Sequence, residues 1–176
     1  MDRREALKKM MAGGAVVAGA SMVSSSPVFA AGSVGGGTPV VPATAPPPAT
    51  AVNDKRFATW QLTAPDVSCS TGTKVSSYGT IMMTEGNISV MLTPSATGET
   101  ATLTVAGTGP GNSPFRQGDQ FVAVWHVKYE CMNSGAPTGC QMVDYTYHYA
   151  NLANGNPNWQ PYPGYPQASP PRPCSP

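Results

Sequence analysis

Residues 119–150 read DQFVAVWHVKYECMNSGAPTGCQMVDYTYHYA, and this stretch decides the fold of the 176-residue chain. Two arms rich in β-branched and aromatic residues flank residues 132–139, which hold Asn, Ser, Pro and two Gly. Such arms favour extended strands and such a centre favours a turn. The stretch therefore predicts two antiparallel strands joined by a hairpin loop, with Cys131 facing Cys140 where the arms meet.

A Cys–Cys pair at that point sets the register of the whole hairpin. It places His126 opposite Tyr145, and it puts Tyr145, Tyr147 and Tyr149 on one face as an aromatic row. Successive residues of a strand point to opposite faces, so the same register separates His126 from His148. This argues against a shared metal site for the two histidines.

Short strands and turns also alternate between about residue 55 and residue 118. Strands are predicted over residues 56–63, 67–75, 78–84, 87–93 and 99–106, and a loop over residues 107–118. The third and fourth of these form a predicted hairpin that turns at Glu85-Gly86. About six or seven strands in roughly 100 residues, without a convincing helix, predict an all-β fold. We expect a single small antiparallel β-sandwich over residues 55–153, with an immunoglobulin-like strand order favoured although the Cys and Trp spacing of antibody domains is absent.

Residues 1–30 have the composition of an export signal. Arg3 and Arg4, followed by an apolar residue and lysines, resemble the twin-arginine export motif, and an Ala- and Gly-rich apolar run follows them. The run covers residues 10–23, and a small-x-small cleavage site follows it at residues 28–30. It is too short and too rich in Gly for a transmembrane helix. The resemblance implies a prokaryotic protein cleaved after Ala30, without a transmembrane anchor, in the periplasm, at the cell surface or in the medium.

The segments on either side of the predicted domain are poor in charge. Residues 31–54 are rich in Gly, Pro and Ala and predict a disordered linker, because they bury too little apolar surface to offset the entropy of ordering. Addition of residues 40–41 as a strand to a neighbour's sheet edge is the less favoured alternative. Residues 154–176 form a Pro-rich tail that Cys174 is expected to tether.

All four cysteines follow the predicted cleavage site. An even number of cysteines in an exported protein predicts disulfide bonds, here two. Three pairings are possible, and Cys131–Cys140 with Cys69–Cys174 is favoured because the hairpin brings the first pair together.

Charge excludes two classes of partner. After residue 30 the chain holds six Lys/Arg and seven Asp/Glu, a net charge of about −1, without a basic cluster. Nucleic-acid binding requires clustered cations that displace counterions, and electrostatic attachment to a membrane requires the same. Neither is predicted.

A metal site is a weaker alternative. The cysteine and histidine spacings do not fit zinc, but thioether and imidazole groups are copper ligands. The predicted hairpin places Met82 and Met91 together on its polar face, where His126 or His148 would complete a copper-type site. Packing of both methionines beneath a loop or the tail is favoured over metal binding.

The aromatic row suggests a binding surface. Tyr145, Tyr147 and Tyr149, with His126 nearby, would suit stacking on a sugar or docking of a Pro-rich segment. Burial of this face against Trp159 of the chain's own tail is favoured over ligand binding.

The sequence shows no catalytic motif. Its two histidines lie outside any G-x-S-x-G setting, and its carboxylates form no paired signature. The favoured function is therefore an exported, non-enzymatic β-domain that acts as a cell-surface or secreted binding or structural module, with a surface glycan, a protein or a second copy as its partner. A small periplasmic copper-type protein and a hydrolase with an unrecognised site remain as alternatives.

Overall fold

The computed structural model describes residues 37–69, 71–109, 114–154 and 156–175. The predicted export signal, residues 1–30, lies outside the described residues. The described ranges contain ten strands and no helix. The strands are β1 (Ala49–Asn53), β2 (Phe57–Thr63), β3 (Thr73–Glu85), β4 (Ile88–Pro94), β5 (Thr100–Gly107), β6 (Gln120–Asn133), β7 (Ala136–Asn151), β8 (Trp159–Pro161), β9 (Gln167–Ala168) and β10 (Arg172–Pro173). A search of these residues for a helix long and apolar enough to cross a membrane finds none.

The strands form two antiparallel sheets packed face to face. The first sheet has the order β1-β2-β5-β4 and the second has the order β10-β7-β6-β3, with β8 and β9 also paired to β7. Taking β1 to β7 as strands A to G, the sheets are ABED and CFG, which is the strand order of an immunoglobulin constant-type sandwich. The predicted all-β sandwich is confirmed, and β8 to β10 are additions to it.

Alternating side chains of both sheets fill the core. In β2, Ala58, Trp60 and Leu62 point inward and are almost fully buried, as their alternation predicts. An aromatic cluster closes one end of the core, with Trp60 lying 5.0 Å from Tyr149 and 6.1 Å from Trp159 between ring centroids. Aromatic contacts of this kind contribute about 0.5–1.5 kcal/mol each beyond the area that they bury.

The β6–β7 hairpin differs from its prediction by one residue in register. Its turn is only Ser134-Gly135, with φ of 50° and 83°, the two positive values of a type I′ turn. A bulge follows at Cys131/Met132, and beyond it Trp125 lies opposite Tyr145 and His126 opposite Asp144. The predicted pairing of His126 with Tyr145 is wrong.

The one-residue shift exchanges the two faces of β7. Tyr145, Tyr147 and Tyr149 now point into the core and are at most 5% exposed. The predicted separation of His126 from His148 is also wrong, since both lie on the outer face of the second sheet.

The same register explains the disulfides, Cys69–Cys131 and Cys140–Cys174. All four cysteines are paired, but the favoured pairing was wrong. Cys131 lies opposite Gly139, so Cys131 points inward while Cys140 lies on the outer face. Cys131 therefore bonds to the β2–β3 connection, and Cys140 bonds to the tail.

The predicted hairpin at Glu85-Gly86 is wrong as well. The short connection after β3 leads to β4, which lies in the opposite sheet and pairs with β5. A chain that crosses between two sheets keeps the same inward alternation as a hairpin, so the sequence pattern does not distinguish the two. Gly79 of β3 permits the close approach, because a Cβ there would lie 2.6 Å from the side chain of Leu92.

Both flanking segments pack on the sandwich. Within the predicted linker, β1 pairs with β2, Val41 is 8% exposed, and the Tyr147 hydroxyl donates a hydrogen bond to the carbonyl of Pro46 at 3.3 Å. The described part of this segment therefore differs from a disordered linker. The tail runs along β7 through β8, β9 and β10 and covers an edge that would otherwise be open.

Candidate functional site

The outer face of the second sheet carries a row of polar side chains that crosses four strands. Antiparallel pairing places Tyr78 of β3 beside His126 of β6, and His126 beside Asp144 of β7. Arg172 of β10 reaches the same carboxylate from the tail. We call Tyr78, Thr80, His126, Asp144 and Arg172 the outer-face row.

Hydrogen bonds hold the row in one arrangement. Nδ1 of His126 lies 2.7 Å from Oδ1 of Asp144, and Nε2 lies 3.1 Å from the Thr80 hydroxyl. Nη1 and Nη2 of Arg172 donate to Oδ2 and Oδ1 of Asp144 at 2.7 and 3.1 Å. Burial raises the pKa of the Asp144 carboxyl, but the hydrogen bonds from Arg172 and His126 outweigh it and lower the pKa overall. Asp144 is thus a paired carboxylate with both oxygens occupied.

The tail completes this arrangement. The Ser169 amide donates to the carbonyl of Asp144 at 2.8 Å, and the Asp144 amide donates to the Ser169 hydroxyl at 3.0 Å. The Cys140–Cys174 disulfide fixes the end of the same segment. Arg172, which lies between these anchors, is consequently held over the sheet by contacts on both sides.

Two exposed tyrosines stack on the two histidines of this face. The rings of Tyr78 and His126 lie 4.4 Å apart at an angle of 20°, and those of Tyr162 and His148 lie 3.8 Å apart at 10°. Tyr165 packs edge-on against His148 at 5.3 Å. Tyr78 is 55% exposed and Tyr162 is 40% exposed, so each offers ring surface to solvent. His148 hydrogen-bonds to Gln120 at 3.2 Å, and burial lowers the pKa of its imidazole.

The structure relocates most of the predicted ligand-binding residues. Tyr145, Tyr147, Tyr149 and Trp159 are buried in the core, which agrees with the favoured interpretation of the aromatic row and removes them from the surface. His126 is half-buried in the outer-face row. Sequence reasoning missed Tyr78, Tyr162 and Arg172, because only the correct register and the docked tail bring them to the histidines.

The structure separates the predicted metal ligands. Met82 lies on β3 and Met91 on β4, in different sheets, and they are 65% and 59% exposed. His126 pairs with Asp144 and His148 pairs with Val122, an offset of four residues along the strands that corresponds to about 13 Å. Within the described ranges, no group of three or more His, Cys, Asp or Glu side chains is placed to hold a metal ion.

Thr80, His126 and Asp144 form a hydroxyl–imidazole–carboxylate chain. This is the arrangement in which a base activates a nucleophile while a third group orients the base. Arg172 opposes it, because a carboxylate held by a bidentate guanidinium stabilises an imidazolium less. The row also lies outside two surface clefts of about 470 and 260 Å³. The row therefore has the hydrogen-bond geometry of a base and of the carboxylate that orients it.

The strand order defines the class of the protein as an immunoglobulin-like β-sandwich, and its two disulfides are typical of exported proteins. No protein-family model, curated protein or solved structure matches the chain.

Proposed function

We propose that this protein is an exported, non-enzymatic binding module that recognises its ligand at the cell surface through the outer face of its second sheet. The observation that carries the proposal is the outer-face row, in which Tyr78 is exposed and stacked while His126, Asp144 and Arg172 are held by mutual hydrogen bonds. The export motif in residues 1–30 and the two disulfides support a location outside the cytoplasm.

Preorganisation is the physical argument for binding. Ordering a surface side chain on association costs about 0.5–1.5 kcal/mol. Tyr78 is already stacked on His126, and His126 is hydrogen-bonded on both ring nitrogens. Binding of a ligand to Tyr78 therefore requires little further ordering of these side chains. The rigid sheet beneath supplies the fixed geometry that recognition requires.

Cell binding tests the proposal. Fluorescently labelled mature protein, residues 31–176, is titrated onto intact cells of the source organism with Tyr78→Ala and with Met91→Ala as the matched control. Met91 is similarly exposed, at 59%, but lies on β4 in the other sheet. We expect saturable binding that Tyr78→Ala weakens about tenfold and Met91→Ala leaves unchanged. Absence of saturable binding, or an equal loss in both variants, contradicts the proposal.

Intact mass tests the proposed location. Protein recovered from outside the cytoplasm is expected to begin at Ala31 and to gain four mass units on reduction, two for each of its two disulfides. Recovery of the uncleaved chain with free thiols from the cytoplasm alone contradicts export.

A hydrolase is the second candidate, and the Thr80–His126–Asp144 chain is the observation that favours it. A small ester such as p-nitrophenyl acetate is the probe. Hydrolysis that His126→Ala abolishes and His148→Ala retains would support an enzyme. Equal rates in the native protein and in His126→Ala would remove this candidate.

A further inference from the structure

Two tyrosine–histidine stacks lie on one face of the second sheet. The Tyr78–His126 stack and the Tyr162–His148 stack are separated by the four-residue offset between His126 and Val122, the partner of His148. At about 3.3 Å per residue, this offset is about 13 Å along the strands. An extended ligand can therefore contact both stacks at once.

The surface between the stacks is mixed in character. The pair Val124 and Thr146 lies midway between the two histidine rows, and Thr80 lies opposite Val124 on β3. One apolar side chain is thus flanked by two hydroxyl groups. Val124 is only 9% exposed, so the apolar surface available for packing is that of the exposed Tyr78 and Tyr162 rings, and the threonine hydroxyls between them can both donate and accept hydrogen bonds.

Charge on the sheet is balanced. The strands β3, β6, β7 and β10 contain three basic residues (Lys74, Lys128 and Arg172) and three acidic residues (Glu85, Glu130 and Asp144). Arg172 is paired with Asp144, and Lys128 lies 3.0 Å from Glu130. A polyanion or a polycation would find no net opposite charge here, so the surface favours a neutral ligand.

From these three observations we infer that the ligand is a neutral glycan chain that spans both stacks, packing sugar rings on Tyr78 and Tyr162. The C–H face of a sugar ring packs on an aromatic ring, and its hydroxyls bond to neighbouring polar groups. The inference rests on the proposed function and specifies the ligand class of the same surface.

Affinity electrophoresis tests the inference. The mature protein migrates through gels that contain soluble neutral polysaccharides (β-1,3-glucan, mannan, xyloglucan or dextran) or the polyanions alginate and heparin. Variants are Tyr78→Ala, Tyr162→Ala and, to keep each ring, Tyr78→Phe and Tyr162→Phe, with Met91→Ala as the control. Tryptophan fluorescence confirms that each variant is folded.

We expect retardation by at least one neutral polymer. Either Ala variant should weaken it about tenfold, while the Phe variants should stay within about threefold of the native protein. Tyr78 and Tyr162 lie about 13 Å apart along the strands and three strand spacings, about 14 Å, apart across them. Oligosaccharides of that polymer should therefore gain affinity with length until they span about 19 Å, and little beyond it.

The two proposals fail differently. Retardation only by a polyanion, or none by any neutral polymer while cell binding still depends on Tyr78, overturns the glycan inference and leaves the binding module standing. Loss of Tyr78-dependent binding in both assays overturns both. Retardation that depends on Tyr78 but not on Tyr162 overturns the two-stack geometry.

Discussion

The two disulfides should differ in how much they stabilise the fold. We compare the paired variants Cys69→Ala/Cys131→Ala and Cys140→Ala/Cys174→Ala. The bonds join residues 62 and 34 positions apart. In the chain-entropy model, loops of these lengths correspond to about 4.3 and about 3.8 kcal/mol of unfolding free energy at 25 °C, a difference of only about 0.5 kcal/mol.

Burial increases that difference. Cys131 is 1% exposed in the core, whereas Cys140 and Cys174 are half-buried at the sheet edge. Replacing Cys131 with Ala removes a buried sulfur and leaves a small cavity, which costs about 1 kcal/mol more. The Cys69/Cys131 variant should therefore be the less stable by about 1–2 kcal/mol.

Urea unfolding followed by tryptophan fluorescence measures both losses. Trp60, Trp125 and Trp159 are all at most 7% exposed, so their emission reports on the core. We expect each variant to fold, with midpoints shifted according to these losses and the Cys69/Cys131 variant lower. A Cys140/Cys174 variant that loses as much stability as the other, or more, would refute the reasoning from loop length and burial.

Three further perturbations test individual contacts. Arg172 and His126 lower the pKa of Asp144 although burial raises it, so Arg172→Met should lower the free energy of unfolding by about 1 kcal/mol at pH 7. This loss should shrink as the pH falls below about 3.9, where the carboxyl of the unfolded chain is protonated, and should disappear below the lower pKa of the folded state. Urea unfolding at pH 7, 4 and 2.5 measures it. Gly79→Ala places a Cβ 2.6 Å from the Leu92 side chain and 2.8 Å from its carbonyl oxygen, and should cost about 1–3 kcal/mol in the same assay. Burial lowers the pKa of His148, so on acidification the unfolded state binds a proton before the folded state does. The free energy of unfolding should therefore fall as the pH drops below about 6.5. His148→Gln should reduce this pH dependence between pH 7 and pH 5.

Matched controls accompany the first two of these, and a contradicting outcome is defined for the third. Lys74→Met removes an exposed charge of the same sheet and should leave the acid dependence unchanged. Gly37→Ala meets nothing within 4 Å and should be neutral, so equal stability of the two glycine variants would contradict the close β3–β4 contact. An unchanged pH slope in His148→Gln would show that this imidazole does not titrate differently in the folded protein.

The sequence predicted most strands of the sandwich, and for β2 it also predicted the inward face. Alternation identified the buried side of β2, where Ala58, Trp60 and Leu62 point into the core, and the aromatic arms identified β6 and β7. These features follow from the two-residue period of a strand, which is local and therefore visible in one sequence.

The site could not be predicted in the same way. Its histidines were noticed, but the assumed Cys131–Cys140 pair shifted the register by one residue and separated them. Ser134-Gly135 signalled a two-residue type I′ turn, but the observed facing also depends on the bulge between Cys131 and Met132, which shifts the pairing by one residue and which the sequence did not reveal. Tyr162 and Arg172 reach the face only because the tail docks on β7.

The sequence by itself predicted a β-sandwich and showed four cysteines, a nearly neutral domain and an N-terminal segment that resembles an export signal, because composition and alternation are local properties. Tertiary structure decided the sheet to which β4 belongs, the partner of each cysteine and the tyrosines that cover the two histidines. These are pairings between residues distant in sequence, and a shift of one residue exchanges the faces of a strand without changing its pattern. The outer-face row follows from such pairings, so it forms only once the strands and the tail are in place.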